Sequence, residues 1–306
     1  MKNQICSKQN DRLQLQRLAA QRQMYADAKR IQALQLMLSV PVVIAVAAVV
    51  SRHDDWHVYA ALYGVIVVFV DLWWVTPKIK RLQNSAARIQ QLFDVEVLDL
   101  DWNEFLLGNK PAGEEVSQFA DRYEKRSNSV SNLRNWYSLA VAEVDIEAAR
   151  ILCQRANLSW DIGLRRRYAS WLTFGFITLC SIVTLIGITG EFTLTKLILT
   201  VIVPLQPALL YTAREIHGQR EARERLERLI GKTIKVWDDI LNSKLSKANL
   251  KDKAHGIQNA LLDHRQTSPL IFDWIYTMLC RKDEDEMMKS TEYLTAELRD
   301  ARRISD

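Results

Sequence analysis

Arginine and aromatic residues gather in this sequence in a pattern suited to a small phosphorylated ligand. A guanidinium forks onto phosphate oxygens, and the ring face of Trp or Tyr accepts a stacked base. Both types lie close together in two stretches. The first holds Trp136 and Tyr137, and the second holds Arg155, Asn157, Trp160, Arg165 and Arg166. These seven residues are the candidate ligand site. Taken singly, each is more often an ordinary packing or boundary residue. The second stretch, residues 153–171, ends with Arg165, Arg166 and Arg167 directly before a long apolar run. Such a triplet marks a membrane boundary, because a guanidinium is costly in hydrocarbon and favourable among anionic head groups.

No catalytic constellation accompanies these residues. The sequence has no Walker loop, no GxGxxG after a strand, no HExxH and no GxSxG. No catalytic residue, metal site or cofactor is expected. The five histidines are scattered, and the four cysteines (Cys6, Cys153, Cys180, Cys280) form no CxxC pair. They make neither a disulfide framework nor a zinc site and suit a reducing cytoplasm. Asp99 and Asp101 share one side of an expected strand, where solvated carboxylates are far commoner than metal ligands. The chain has 306 residues and a formal charge of +5. Its basic clusters sit at membrane boundaries, which disfavours long nucleic acid as a partner.

The elements that must position the candidate site read as an α-helical polytopic membrane protein. Four transmembrane helices in two hairpins carry a mainly α cytoplasmic domain with one short strand. Residues 1–30 are a cytoplasmic amphipathic helix, 31–77 the first hairpin, 78–167 a cytoplasmic region, 168–212 the second hairpin, and 213–306 cytoplasmic C-terminal helices. Spanning takes about 20 mostly apolar residues. Residues 31–50 carry no charge and contain Pro41, and 56–75 are apolar with Trp56, Trp73 and Trp74 as interfacial belts. Asp71 is expected to cap or snorkel at the inner interface rather than relay charge. Residues 168–190 and 192–212 form the second pair, the last of them kinked by Pro204 and Pro207, with Lys196 snorkelling near its outer end.

Residues 93–102 alternate and suggest a strand with a bulge. From Tyr137 onward the apolar spacing suggests a helix entering the third span, with an interruption near 157–163. Leu226, Ile230, Ile234, Trp237 and Leu241 form a seam on a helix over 213–241, suited to a neighbour in the same subunit or another. Thr173, Thr178, Thr184, Thr200 and Gln206 are the polar candidates to line a path through the membrane, although such residues more often bond between helices. The short turns between spans hold Arg52 against Asp54, Asp55 and Glu191. The other side holds Lys29, Arg30, Lys78, Lys80, Arg81, the triplet, Arg214 and Arg220. By the positive-inside rule both termini and residues 78–167 are cytoplasmic. The first thirty residues are polar and charged, unlike a cleavable signal peptide.

Three stretches resemble a known family: LQRLAAQRQMYADAKR at 15–30, NWYS at 135–138 and CQRANLSWDIGLRRRY at 153–168. With the four-span plan they resemble the S-4TM proteins, the SMODS-associating four-transmembrane effectors of bacterial anti-phage (CBASS) signalling. The resemblance covers most of the chain, from about residue 10 to the late helices, and carries no catalytic signature. It implies a non-enzymatic inner-membrane effector encoded beside a nucleotidyltransferase that makes a cyclic di- or trinucleotide. The messenger would bind on the cytoplasmic side, and oligomers would breach the membrane and abort the infection. The resemblance supplies no ligand contacts; the site residues above come from their chemistry. The alternative is a membrane tether or scaffold for a cytoplasmic partner. Coupled transport is disfavoured by the scarcity of charge within the spans.

Overall fold

Helix follows helix along the chain, because most segments carry their apolar residues at helical spacing with few internal breakers. The computed structural model describes residues 3–50, 57–127, 130–189, 193–198 and 202–305. The order begins with α1 (Ile5–Lys8), α2 (Arg12–Ser39), α3 (Pro41–Val50) and α4 (His57–Val70). A π-helical turn, Asp71–Val75, joins α4 to α5 (Thr76–Val97) without a break. Then come α6 (Glu104–Leu107), α7 (Gly113–Ser127), two 3₁₀ turns (Ser131–Leu133 and Leu139–Glu143), α8 (Ile146–Thr189), α9 (Leu194–Leu197), α10 (Val203–Leu241), α11 (Lys247–Thr267) and α12 (Asp273–Ser305).

No strand occurs among the described residues, which corrects the expectation for 93–102. Helix α5 runs to Val97 with Phe93, Asp94, Val95 and Val97 all buried. A helix end enclosed on nearly every side has no polar face, so alternation along it carries no periodic information. Nor is α8 interrupted near 157–163: it continues for 44 residues, and Gly163 is absorbed within it. Tyr137, Val141 and Val144 are buried as expected but lie in the loop before α8. The polar stretch 242–256 is mostly helix too, since Ser246 caps α11 by accepting from Asn249 N at 3.3 Å.

One core joins α2, α5, α8, α10, α11 and α12, with Leu18, Met24, Phe93, Ile151, Leu158, Leu226 and Trp237 fully enclosed. Leu226 and Trp237 of the seam are therefore enclosed by the chain's own helices, whereas Ile234 of the same seam stays 37% exposed. Ion pairs fasten α12 to the start of α8's neighbourhood through Arg302–Asp145, 2.7 Å, and Arg299–Glu143.

Among the described residues, two helical stretches are long and apolar enough to cross a membrane, Ala61–Val97 and Ile146–Thr189. Their large apolar side chains point outward, among them Val65, Phe69, Trp73 and Trp74 on one and Phe174, Ile177, Leu185 and Ile188 on the other. Contiguous apolar surface of this kind suits lipid or another helix, not water. The first expected span is divided where Val40 leaves helical geometry before Pro41, whose ring nitrogen has no proton to donate. Trp56, Arg52, Asp54, Asp55, Glu191 and Thr200 lie outside the described residues. Asp71 sits in the π turn and accepts from the side chains of Gln35 (Nε2, 2.5 Å) and Thr76 (Oγ1, 3.0 Å) rather than capping the backbone.

Candidate ligand cavity

The N-terminus holds the loop that carries the aromatic pair. Asn3 donates to the carbonyls of Val141 (2.6 Å) and Val144 (2.8 Å). Gln9 exchanges two hydrogen bonds with the backbone of Tyr137, and Asn10 accepts from the Asn135 backbone N–H and donates to its Oδ1. Asn135 takes a left-handed backbone conformation (φ 55°), which Asn tolerates better than most residues. The result places Trp136 edge-on to Phe93, with ring centroids 6.2 Å apart. The Arg22 guanidinium of α2 lies 5.5 Å over the Trp136 ring, a cation–π contact.

Two adjoining cavities open around this loop. The smaller, about 320 Å³, is lined by Arg22, Arg134, Trp136, Asn157 and Trp160, with Asn132, Asn135, Met287 and Met288 completing the wall. None of these lining residues is acidic. Among the described residues neither Arg22 nor Arg134 has a carboxylate partner. Asn157 donates to the Tyr137 hydroxyl at 3.4 Å and keeps its carbonyl oxygen for another donor. The larger cavity, about 380 Å³, shares Arg22, Trp136 and Trp160 and reaches Tyr25, Asp161, Arg165, His264 and Arg265. Both volumes lie within the roughly 300–1,000 Å³ typical of small-molecule sites.

The charges of the larger cavity are mostly paired. Asp161 Oδ1 lies 3.0 Å from Arg165 Nε, and its Oδ2 lies 2.8 Å from His264 Nε2. Burial opposes the charge on Asp161, but Arg165 and His264 overcome it and hold the carboxyl well below the usual range. Burial likewise lowers His264, with Asp161 partly restoring it. Arg265 reaches the fully buried Asp94 at 2.6 Å, where Tyr137 (2.6 Å) and Gln258 (2.8 Å) also donate. Burial pushes the Tyr25 hydroxyl up to about 12. Arg165 also leaves the cavity on its far side. Its Nη1 donates to Gln219 Oε1 at 2.6 Å and to the Pro269 carbonyl at 3.2 Å, and Gln219 donates to Glu215 at 2.8 Å. Burial raises the Glu215 carboxyl above its ordinary value, against the pull of Gln219 and Arg165.

Of the seven expected ligand residues, Trp136, Asn157, Trp160 and Arg165 line these cavities. Tyr137 stands behind the wall with its hydroxyl committed to Asp94. Arg155 faces α10 and α12, where Asp238 and Glu297 act on it, and Arg166 is exposed; neither reaches a cavity. Arg22, Arg134 and Arg265 were missed. Arg22 lies on the amphipathic first helix as one basic residue among several, and only the fold shows which of them meets Trp136.

Within one chain the threonine path candidates are bonded locally, and Thr173 and Thr184, 11 residues apart, fall within roughly 20° of one face of α8. Thr173, Thr178 and Thr184 each donate to the carbonyl four residues back on α8, at 2.7, 2.9 and 2.9 Å. At 3.6 residues per turn, Thr178 lies roughly 140° around the helix from Thr173. Gln206 is exposed on α10. Asp99 and Asp101 are taken up by Arg150 (3.2 Å) and Lys251 (2.6 Å).

These features define a predominantly helical protein with two adjoining cavities beside a helix long enough to continue across a membrane. Residues 3–294 match the SMODS-associating 4TM effector domain, and the chain belongs to that family. It is also similar to a protein of Bacillus cereus (strain VD146) described as a "Probable CBASS effector molecule". The two are 22% identical over 301 residues, covering 95% of this chain and 98% of the relative. No solved structure matches the chain.

Proposed function

We propose that this protein is the membrane effector of a CBASS anti-phage system, gated by a cyclic oligonucleotide bound between Trp136 and Trp160. The smaller cavity carries the reading: two arginines, two tryptophans and an asparagine, with no carboxylate among the described residues that line it or pair with those arginines. Phosphates would take Arg22 and Arg134, a base would stack on a tryptophan, and Asn157 would meet a base edge. The site faces the cytoplasm, four spans cross the inner membrane in two hairpins, and both termini remain inside. No chemistry is performed on the ligand. Copies associate in the bilayer and permeabilise it, ending the infection with the host cell.

Transmission follows Arg165. It belongs to the larger cavity through Asp161 and to α10 through Gln219, while α8 itself continues as the apolar segment. A ligand that binds one arrangement of these helices better shifts the population toward it. Purified protein in dye-loaded vesicles should leak when the right cyclic di- or trinucleotide is added and stay sealed without it. A sealed vesicle across a broad nucleotide panel would overturn the effector reading in favour of a tether.

A further inference from the structure

We infer that the first two turns of α12 are a docking surface for the lipid bilayer, with Trp274 and Met278 seated among the head groups and upper acyl chains. The inference rests on the reading of α8 as a membrane span. One face of these turns is already used. Ile275 is 6% exposed and packs with Ile271 and Phe272 against Leu164, Tyr168 and Leu172 of α8 and Ala33 and Leu36 of α2. Those partners straddle the boundary that Arg30 and the 165–167 triplet mark in the sequence, so this end of α12 stands at the height of the membrane surface.

The opposite face is open. Trp274 is 68% exposed and Met278 55% exposed, and a four-residue spacing sets them one above the other on the same side of the helix. Residues 274–280 carry no charge, and Arg281 and Lys282 follow directly. An apolar face with an amphipathic indole at this height suits the layer between head groups and acyl chains, and the charged run from Arg281 to Glu286 ends the apolar stretch. On α8 itself, Trp171 and Phe174, next to the packed Leu172, also face outward. Asp273 at the start of these turns, 2.7 Å from Lys29, and Leu270 and Ile271 of the link leading into them border the larger cavity. Bilayer and ligand thus act on one element.

A fluorescent amino acid sensitive to its surroundings, placed in turn at Trp274, Ile177 and Tyr293 of the full chain, tests this in vesicles of phosphatidylethanolamine and phosphatidylglycerol. At Trp274 the emission should be blue-shifted. It should be quenched at least about twofold more by a nitroxide near the head group than by one near the chain end, the reverse of Ile177. Tyr293, 71% exposed further along α12, should report water. Water-like emission at Trp274 would overturn the docking surface. Blue-shifted emission that no lipid nitroxide quenches would also overturn it, since a protein then covers the face. If Ile177 behaves as quenched and Trp274 does not, only the docking surface fails. If Ile177 itself reports water, the membrane reading fails and the docking surface with it.

Discussion

Asp161 holds together the residues that connect cavity and membrane helix, since Arg165 and His264 both meet its carboxylate. Because its folded carboxyl is more acidic than in the unfolded chain, its contribution is complete above the ordinary carboxylate range. That contribution is lost as acid titrates it through its depressed folded value. Glu215 has the opposite sign. Raised by burial, it favours the fold at low pH, and that favour is lost as pH rises through its folded value. Asp161→Asn should therefore lower stability near neutrality by roughly 2–4 kcal/mol, by stranding a largely buried guanidinium, and flatten the loss of stability in acid. Glu215→Gln should leave neutral stability equal or higher. Thermal denaturation of detergent-solubilised protein across the acid to neutral range reads both. At the cavity wall, Trp160→Ala should weaken the ligand by about 1–3 kcal/mol, roughly 5- to 150-fold in Kd by titration.

Among the elements, the link between α11 and α12 bears most on transmission. Its carbonyls at Arg265 and Ser268 are taken by Gln83, and that of Pro269 by Arg165 and Gln219. The backbone of α10 at Gly218 approaches Pro269 so closely that an added Cβ would lie 2.9 Å from its ring. Gly218→Val should force the link away from α10, at about 1–3 kcal/mol of overpacking, seen as a lowered Tm and a shifted vesicle-leakage threshold. The sequence revealed most of these helices, because α2, α8 and α10 keep helical spacing over long runs. It failed over residues 93–97, where burial on nearly every side erased periodicity, over 98–102, which leave the helix as an irregular stretch with Asp99 and Asp101 exposed, and over 137–144, where apolar residues at helical spacing pack from an irregular loop. Trp136 and Trp160 were legible by residue type. Arg22 was not, because its meeting with Trp136 depends on how α2 crosses the loop.

For the molecule as a whole, charge and apolar surface are separated along α8. Its first half is enclosed in the core beside the cavities, and its second half presents Phe174, Ile177 and Ile188 outward. Binding through Arg22 and Arg134 should weaken as salt rises, whereas a purely stacked ligand would be indifferent, a contrast read by titration at two ionic strengths. The most direct measurement is equilibrium binding of a panel of cyclic di- and trinucleotides to the full chain in vesicles, beside its Arg22→Ala, Trp160→Ala and Arg166→Ala variants. One member of the panel should bind saturably to the parent and to Arg166→Ala and at least about tenfold more weakly to the other two. Binding of no member, or equal binding by all four proteins, would contradict the assignment of the cavity.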